Sequence, residues 1–87
     1  MALPPAAPPL PSSPAALQGV RVIEMGQLIA GPFCGKTLGE FGADVIKIEA
    51  PESGDPLRNW RLIKEGTSVW WQVQSRNKRS VALDLRQ

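Results

Sequence analysis

GVRVIEMGQLIAGPFCGKTLGEFGADVIKIE, Gly19 to Glu49, reads as a strand, a loop, a helix and a second strand. VRVIEM (Val20–Met25) alternates and is rich in β-branched residues, as strands are, and Gly26 closes it. Pro32 suits the first helical position, where its missing N–H costs nothing. Gly42 suits the left-handed residue just past a helix end. DVIKIE (Asp44–Glu49) is the second strand. Two strands and a helix in about 30 residues make a βαβ unit, so a parallel pair with a right-handed crossover is expected. Gly31, Gly35 and Gly39 recur every fourth residue and share one side of the helix. A side without side chains lets another backbone, or a ligand, come close. Across Pro32–Phe41, the residues Phe33, Cys34, Thr37, Leu38 and Phe41 fall within about 140° of arc, with the glycines at its border and Lys36 and Glu40 opposite. This predicts an amphipathic helix lying tightly on a sheet. The loop Gly26–Gly31 then sits at the carboxyl end of the first strand, where open α/β sheets bind ligands.

Working outward, APESGDP (Ala50–Pro56) is turn chemistry, and Arg58 to Gly66 reads as irregular. Ser68 can cap a short helix, Val69–Ser75, that carries Trp70 and Trp71. Ser80–Leu85 gives a third strand with Val81, Leu83 and Leu85 on one face. Residues 1–16, MALPPAAPPLPSSPAA, hold six of the nine prolines and no charge. So many missing N–H groups preclude a helix or a ladder, and a disordered or polyproline-like leader is expected. It lacks the basic start and apolar run of a signal peptide, and the arginines of a transit peptide. No run approaches the ~20 apolar residues of a membrane span, so the expected compartment is cytoplasmic. The expected class is α/β: a leader over 1–16, then over 17–87 the N-terminal βαβ portion of a parallel-sheet domain. About 70 structured residues are marginal alone. The sequence stops at Gln87 just after a strand, which suggests the N-terminal piece of a longer protein.

There is no His, and Cys34 is the lone cysteine. No His-based triad, zinc site or disulfide is therefore expected within the chain. AGPFCGKT (Ala30–Thr37) fits a relaxed phosphate-loop pattern, in which backbone N–H groups, the Lys and the Thr would hold a nucleotide and magnesium. Against it, the strand ends several residues early, Pro32 removes a donor, and Lys36 falls mid-helix. Glu49 stands about where an acid binds a ribose hydroxyl, but G-x-G-x-x-G is absent; a strand-end carboxylate with a structural partner is the plainer account. Cys34, near a helix N-terminus, could be an activated thiol, yet its place on the apolar arc argues for packing. Trp60, Trp70 and Trp71 are not interleaved with the basic run RNKR, so core or subunit-interface packing is expected rather than nucleic acid. Arg76, Lys78, Arg79 and Arg86 against Asp84 make the last twelve residues basic, which would favour an anionic partner.

LQGVRVIEMGQLIAGPF, LGEFGADVIKIEAPESGDPLRNW and SRNKRSVALDL, in that order and spacing, strongly resemble the amino-terminal part of class III CoA-transferases. This family includes formyl-CoA and carnitine CoA-transferases and also α-methylacyl-CoA racemases. The resemblance covers Leu17 to Arg86. It implies a Rossmann-like large domain, an intertwined homodimer, and an enzyme that moves coenzyme A (CoA) between an acyl-CoA and a small carboxylic acid, with no metal. It further implies a catalytic Asp that forms a mixed anhydride and then an aspartyl-CoA thioester. That Asp lies beyond Gln87, and Asp44, Asp55 and Asp84 do not match it. Ile29 and Ala30 match positions lining the CoA site in formyl-CoA transferase, and Leu83, Asp84, Leu85 and Arg86 match a second CoA-contacting stretch. Arg86 keeps a positive charge where that enzyme has Lys. Ala50 stands where it has a CoA-binding Arg, and Ile29 replaces an amide side chain. The other readings are a phosphate-loop nucleotide-binding protein using Ala30–Thr37 and an acyl-CoA racemase of the same family.

Overall fold

The computed structural model describes residues 14–87; of the leader expected over 1–16, residues 1–13 lie outside the described residues. Three strands, β1 (Arg21–Glu24), β2 (Asp44–Glu49) and a later one at Lys78–Ala82, form a parallel sheet with β2 in the middle. Helix α1 (Ala30–Glu40) joins β1 to β2 and lies against all three strands. The longer crossover from β2 holds a 3₁₀ turn (Pro56–Asn59), a hairpin of β3 (Ile63–Lys64) and β4 (Thr67–Ser68), and helix α2 (Val69–Gln74); Lys78–Ala82 is thus β5.

The local expectations for β2 and α2 hold. β2 spans Asp44–Glu49, and the Ser68 hydroxyl caps α2 by accepting from the Trp71 N–H at 3.2 Å. Gly42, at φ +103°, ends α1. Its N–H reaches the Gly39 carbonyl and the Ala43 N–H reaches that of Leu38, the paired bonds of a Schellman cap. Three expectations need correction. α1 starts at Ala30, not Pro32, so Pro32 falls on its third residue; the first four N–H groups of a helix have no partner within it, and nothing is lost. The third strand runs over Lys78–Ala82 rather than Ser80–Leu85, which leaves Leu83 to Arg86 beyond the ladder. Arg58 to Gly66 is not irregular: Asp55 caps the 3₁₀ turn, and Glu65 and Gly66, both at positive φ, form the two-residue connection of the hairpin.

The packing of α1 also differs from expectation. Its buried residues are Pro32, Gly35 and Gly39, whereas Phe33, Cys34 and Phe41 of the apolar arc are exposed. The glycine side docks because the sheet beneath carries charged side chains: a Cβ on Gly35 would collide with the Glu24 carboxylate. Parallel pairing aligns Glu24 with Lys47 and Lys47 with Ser80, and along β2 the residues Val45, Lys47 and Glu49 are buried. The opposite face shows Ile23 and Val81, with Ile46 and Ile48 half-buried.

These contacts separate two similar substitutions. Gly35→Ala is expected to cost about 2 kcal/mol, because the obstructing carboxylate is held by two lysines and cannot swing away. A Cβ on Gly39 would meet its nearest neighbour, Asn77 Cβ, at 3.4 Å. Gly39→Ala should therefore be neutral or gain up to ~1 kcal/mol from helix propensity. Denaturation midpoints of the two variants beside the parent, in the same length of chain, decide this; equal losses would contradict the packing.

Candidate functional site

Because the sheet is parallel, the carboxyl ends of β1, β2 and β5 open onto one edge. A hollow of about 230 Å³ lies there, lined by Met25 and Gln27 after β1, Ile48 to Pro51 at the end of β2, and Leu83 to Arg86 after β5. A second hollow of about 440 Å³ shares Ala50, Pro51, Asp84 and Arg86 with it and extends along Glu52, Ser53 and Gln87. Together they form an open groove across the sheet edge, with mixed polar and apolar walls. Leu83, Asp84, Leu85 and Arg86 are brought together in it. Ile29 and Ala30 are not: they stand exposed at the start of α1, outside the lining.

Arg86 is the cation of the groove. Its guanidinium contacts Asp84 at 3.2 and 3.4 Å, and its own N–H donates to Asp84 Oδ1 at 2.9 Å. Those bonds hold the Asp84 carboxyl below its usual range. The pair is solvated, so Arg86 retains donors for an incoming anion. The basic character of the last twelve residues is otherwise spent internally. Arg76 pairs with Glu40 at 2.8 Å, Arg79 pairs with Asp44 at 2.6 Å, and Lys78 is buried. Lys78 and Arg79 open β5 rather than close it, so of these cations Arg86 alone reaches the groove.

Beside the groove, on the α1 side of the sheet, lies a buried ionic cluster. Lys47 Nζ, at the centre, contacts Glu24 Oε2 at 2.6 Å, Asp55 Oδ2 at 2.8 Å and the Gly26 carbonyl at 3.1 Å. Lys78 Nζ contacts Glu24 Oε1 at 2.7 Å and donates to the Pro32 carbonyl at 2.8 Å. Asp55 Oδ1 accepts from the N–H groups of Leu28 and Leu57 at 3.0 and 2.9 Å. Two carboxylates and two ammonium groups thus neutralise one another away from water. Burial works against the Lys47 charge, but the bonds with Asp55 and Glu24 outweigh it and hold that ammonium above its usual range. At Lys78 burial prevails over Glu24, and its value falls. Asp55 is held low despite burial, by Lys47 and its two backbone donors.

Glu49 forms the adjoining wall. It receives two bonds from Arg58, each 2.8 Å, one from Ser80 at 2.6 Å and one from the Asp55 N–H at 2.7 Å. Arg58 is the main reason its pKa falls to about 2, with Ser80 and the Asp55 N–H adding to the effect. Glu49 is therefore the structural carboxylate expected of it, with no lone pair left for a ribose. Arg58 also lies 4.0 Å from the Trp71 ring, and Trp60 meets Trp70 edge-on at 5.3 Å. The tryptophans pack within the β2–β5 crossover.

The phosphate-loop reading of Ala30–Thr37 fails on geometry. These residues are helical and form no cradle. Lys36 lies 3.4 Å from Glu40 and faces the Phe33 ring, and the Thr37 hydroxyl donates to the Phe33 carbonyl at 2.9 Å. Cys34 is exposed rather than packed, which corrects the expectation of burial. Among the described residues no group of His, Cys, Asp or Glu is arranged to hold a metal ion, and no helix is long and apolar enough to cross a membrane.

Sequence reasoning missed the cluster entirely. Its one local signal was a lysine, Lys47, two residues from Val45 on a strand and hence on the face that β2 buries.

Comparison with known proteins matches residues 17–87 to the family model described as CoA-transferase family III. A succinyl-CoA–D-citramalate CoA-transferase of Chloroflexus aurantiacus is 53% identical over 74 residues, which are 84% of this chain and 18% of that protein. The alpha subunit of a succinyl-CoA–L-malate CoA-transferase from the same organism is 45% identical over 73 residues, 82% of this chain and 17% of that protein. Among solved structures, a CAIB/BAIF family protein from Brucella suis superposes with a TM-score of 0.74 at 39% identity, covering 86% of this chain and 21% of the other. The chain thus spans about a fifth of the length of the relatives it matches.

Proposed function

The chain belongs to CoA-transferase family III, and from that premise we propose that it forms the amino-terminal part of an enzyme moving CoA between an acyl-CoA and a small carboxylic acid. The observation that carries the proposal is the groove at the carboxyl edge of the sheet, where Leu83 to Arg86 face Met25 and Gln27 across the end of β2. Its apolar walls suit the pantetheine arm, and Arg86 suits a phosphate of the nucleotide, to which a guanidinium can offer two parallel N–H groups. The neighbouring N-terminus of α1, with no side-chain cap and no acidic residue in its first turn, adds unpaired N–H groups near the same edge.

In this reading the segment supplies binding, not the nucleophile. Asp84 is tied to Arg86, and Glu24, Glu49 and Asp55 are buried and each paired with a cation. An aspartate outside the chain would attack the thioester carbonyl and release the CoA thiolate, leaving a mixed anhydride. The thiolate would return to the aspartyl carbonyl and expel the carboxylate, giving the aspartyl thioester that hands CoA to the acceptor. Relatives named for succinyl-CoA support a dicarboxylic acyl group as the first donor to try. We place the intact enzyme in the cytoplasm as a homodimer on a Rossmann-like domain, a state sedimentation would test.

Calorimetric titration of CoA into the full-length enzyme tests the assignment. Arg86→Ala is expected to weaken binding three- to tenfold, about 1 kcal/mol for an exposed charge-assisted contact. Lys36→Ala should change nothing. Failure of CoA to bind, or an affinity indifferent to Arg86 but dependent on Lys36, would sink the proposal.

A further inference from the structure

The loop leaving β1 is held in a conformation its own sequence disfavours. Leu28 has φ +63°, the left-handed region in which a branched side chain crowds the backbone. The loop is also pinched shut: a Cβ on Gly31 would stand 2.8 Å from the Gly26 Cα. Such a backbone persists only where its surroundings impose it.

Three buried side chains do so. Asp55 Oδ1 accepts from the Leu28 N–H at 3.0 Å, Lys47 Nζ donates to the Gly26 carbonyl at 3.1 Å, and Lys78 Nζ donates to the Pro32 carbonyl at 2.8 Å. Their side chains are 1%, 2% and 4% exposed respectively, so none can touch a ligand. Each nevertheless grips backbone within or beside the segment that brings Met25 and Gln27 to the groove. Asp55 reaches further. The same oxygen accepts from the Leu57 N–H, and the Asp55 N–H donates to Glu49, which lines the groove from β2. One residue therefore ties the loop after β1 to the wall after β2. The bond from the Leu28 N–H steadies the Asp55 charge and, with the bond from Lys47 to the Gly26 carbonyl, also holds the loop.

We propose that Asp55 and Lys47 are positioning residues for the CoA groove, holding Leu28 left-handed and Gly26 fixed so that Gln27 lines the groove opposite Leu83 to Arg86. This rests on the CoA reading above. Leu28→Pro removes the N–H that Asp55 accepts and forces φ near −65°, leaving every buried charge in place. Leu28→Gly keeps the N–H and makes positive φ free of strain.

CoA binding by the full-length enzyme, followed calorimetrically with a denaturation midpoint for each variant, is the measurement. Leu28→Pro should raise the Kd for CoA at least tenfold when measured well below its own midpoint, where it remains folded, and Leu28→Gly should stay within about twofold of the parent. Asp55→Ala should also raise the Kd at least tenfold, and adding Leu28→Gly to it should recover threefold or more. A glycine in the loop cannot repair a role confined to the core, so that recovery distinguishes positioning from stability. Leu28→Pro can be read even where Asp55→Ala does not fold. CoA binding by the parent that is equally tight in Leu28→Pro, or an Asp55→Ala loss that Leu28→Gly leaves untouched, overturns the inference while sparing the functional reading. A parent that does not bind CoA overturns both.

Discussion

Residues 17–87 produced alone are expected to show no cooperative thermal or urea transition, to bind an apolar dye such as ANS, and to associate. Among the described residues the buried apolar side chains are Pro32, Ala43, Val45 and Leu57, while thirteen large apolar side chains are exposed. Folding must offset roughly 1–2 kcal/mol of backbone entropy per residue, chiefly through apolar burial worth about 25 cal/mol per Å². With so little apolar surface removed from water, that balance fails. The exposed groups are also not scattered. Ile23 and Val81 project from the uncovered sheet face; Ile29, Phe33 and Phe41 ride on or beside α1; Leu62, Ile63, Trp70 and Val73 cluster on the hairpin and α2. Large apolar groups exposed together on one element mark surfaces that meet other protein. Among the described residues β1 and β5 are moreover open edges of the sheet, each able to accept another strand. A single sharp urea transition, coincident by circular dichroism and tryptophan fluorescence, from a monomer with no dye binding, would show that the three-strand unit is self-sufficient.

The elements legible in the sequence were those whose causes are local. β2 announces itself by alternation, the α2 cap by a serine at the right offset, and the end of α1 by a glycine that alone adopts the required φ cheaply. The buried side of α1 was not legible in the same way. Helical periodicity ranks faces by hydropathy, and hydropathy favoured Phe33, Cys34 and Phe41. The docked side was decided instead by what waits on the sheet, and only a side without Cβ atoms fits over Glu24 and Lys78. The hairpin turn at Glu65–Gly66 escaped because its dipeptide is a weak form of the Asn-Gly and Asp-Gly signal. For the site, the stretch Leu83 to Arg86 was marked by family resemblance and does line the groove. The ion cluster beside it joins Glu24 to Lys47 and to Lys78 on the other two strands, pairings created by strand register and invisible until that register is known.

Lys47→Met in the full-length enzyme should destabilise the segment by roughly 3–5 kcal/mol, the usual cost of removing one partner from a buried ionic group. Met keeps most of the apolar stem, so the loss falls on charge rather than volume. Glu24 and Asp55 would keep their burial, with Lys78 alone to balance two carboxylates. The pH dependence gives this prediction its sign. In the parent, Asp55 titrates below its unfolded value, so its contribution is present above pH ~4 and fades as acid protonates the folded state. Without the ammonium the same carboxyl loses its main opposing charge, and burial, which raises its pKa, prevails. The folded variant then takes up a proton that the unfolded chain releases, and its stability rises as pH falls. The gap between parent and variant should accordingly narrow from pH 7 to pH 5 in urea titrations. A second substitution, Asp55→Asn, should restore part of the loss at pH 7, because it removes the uncompensated charge and leaves an oxygen for the Leu28 and Leu57 N–H groups. A gap that is constant with pH, or a double variant weaker than Lys47→Met alone, would mean that packing around the Lys47 stem, and not charge balance, holds the cluster together.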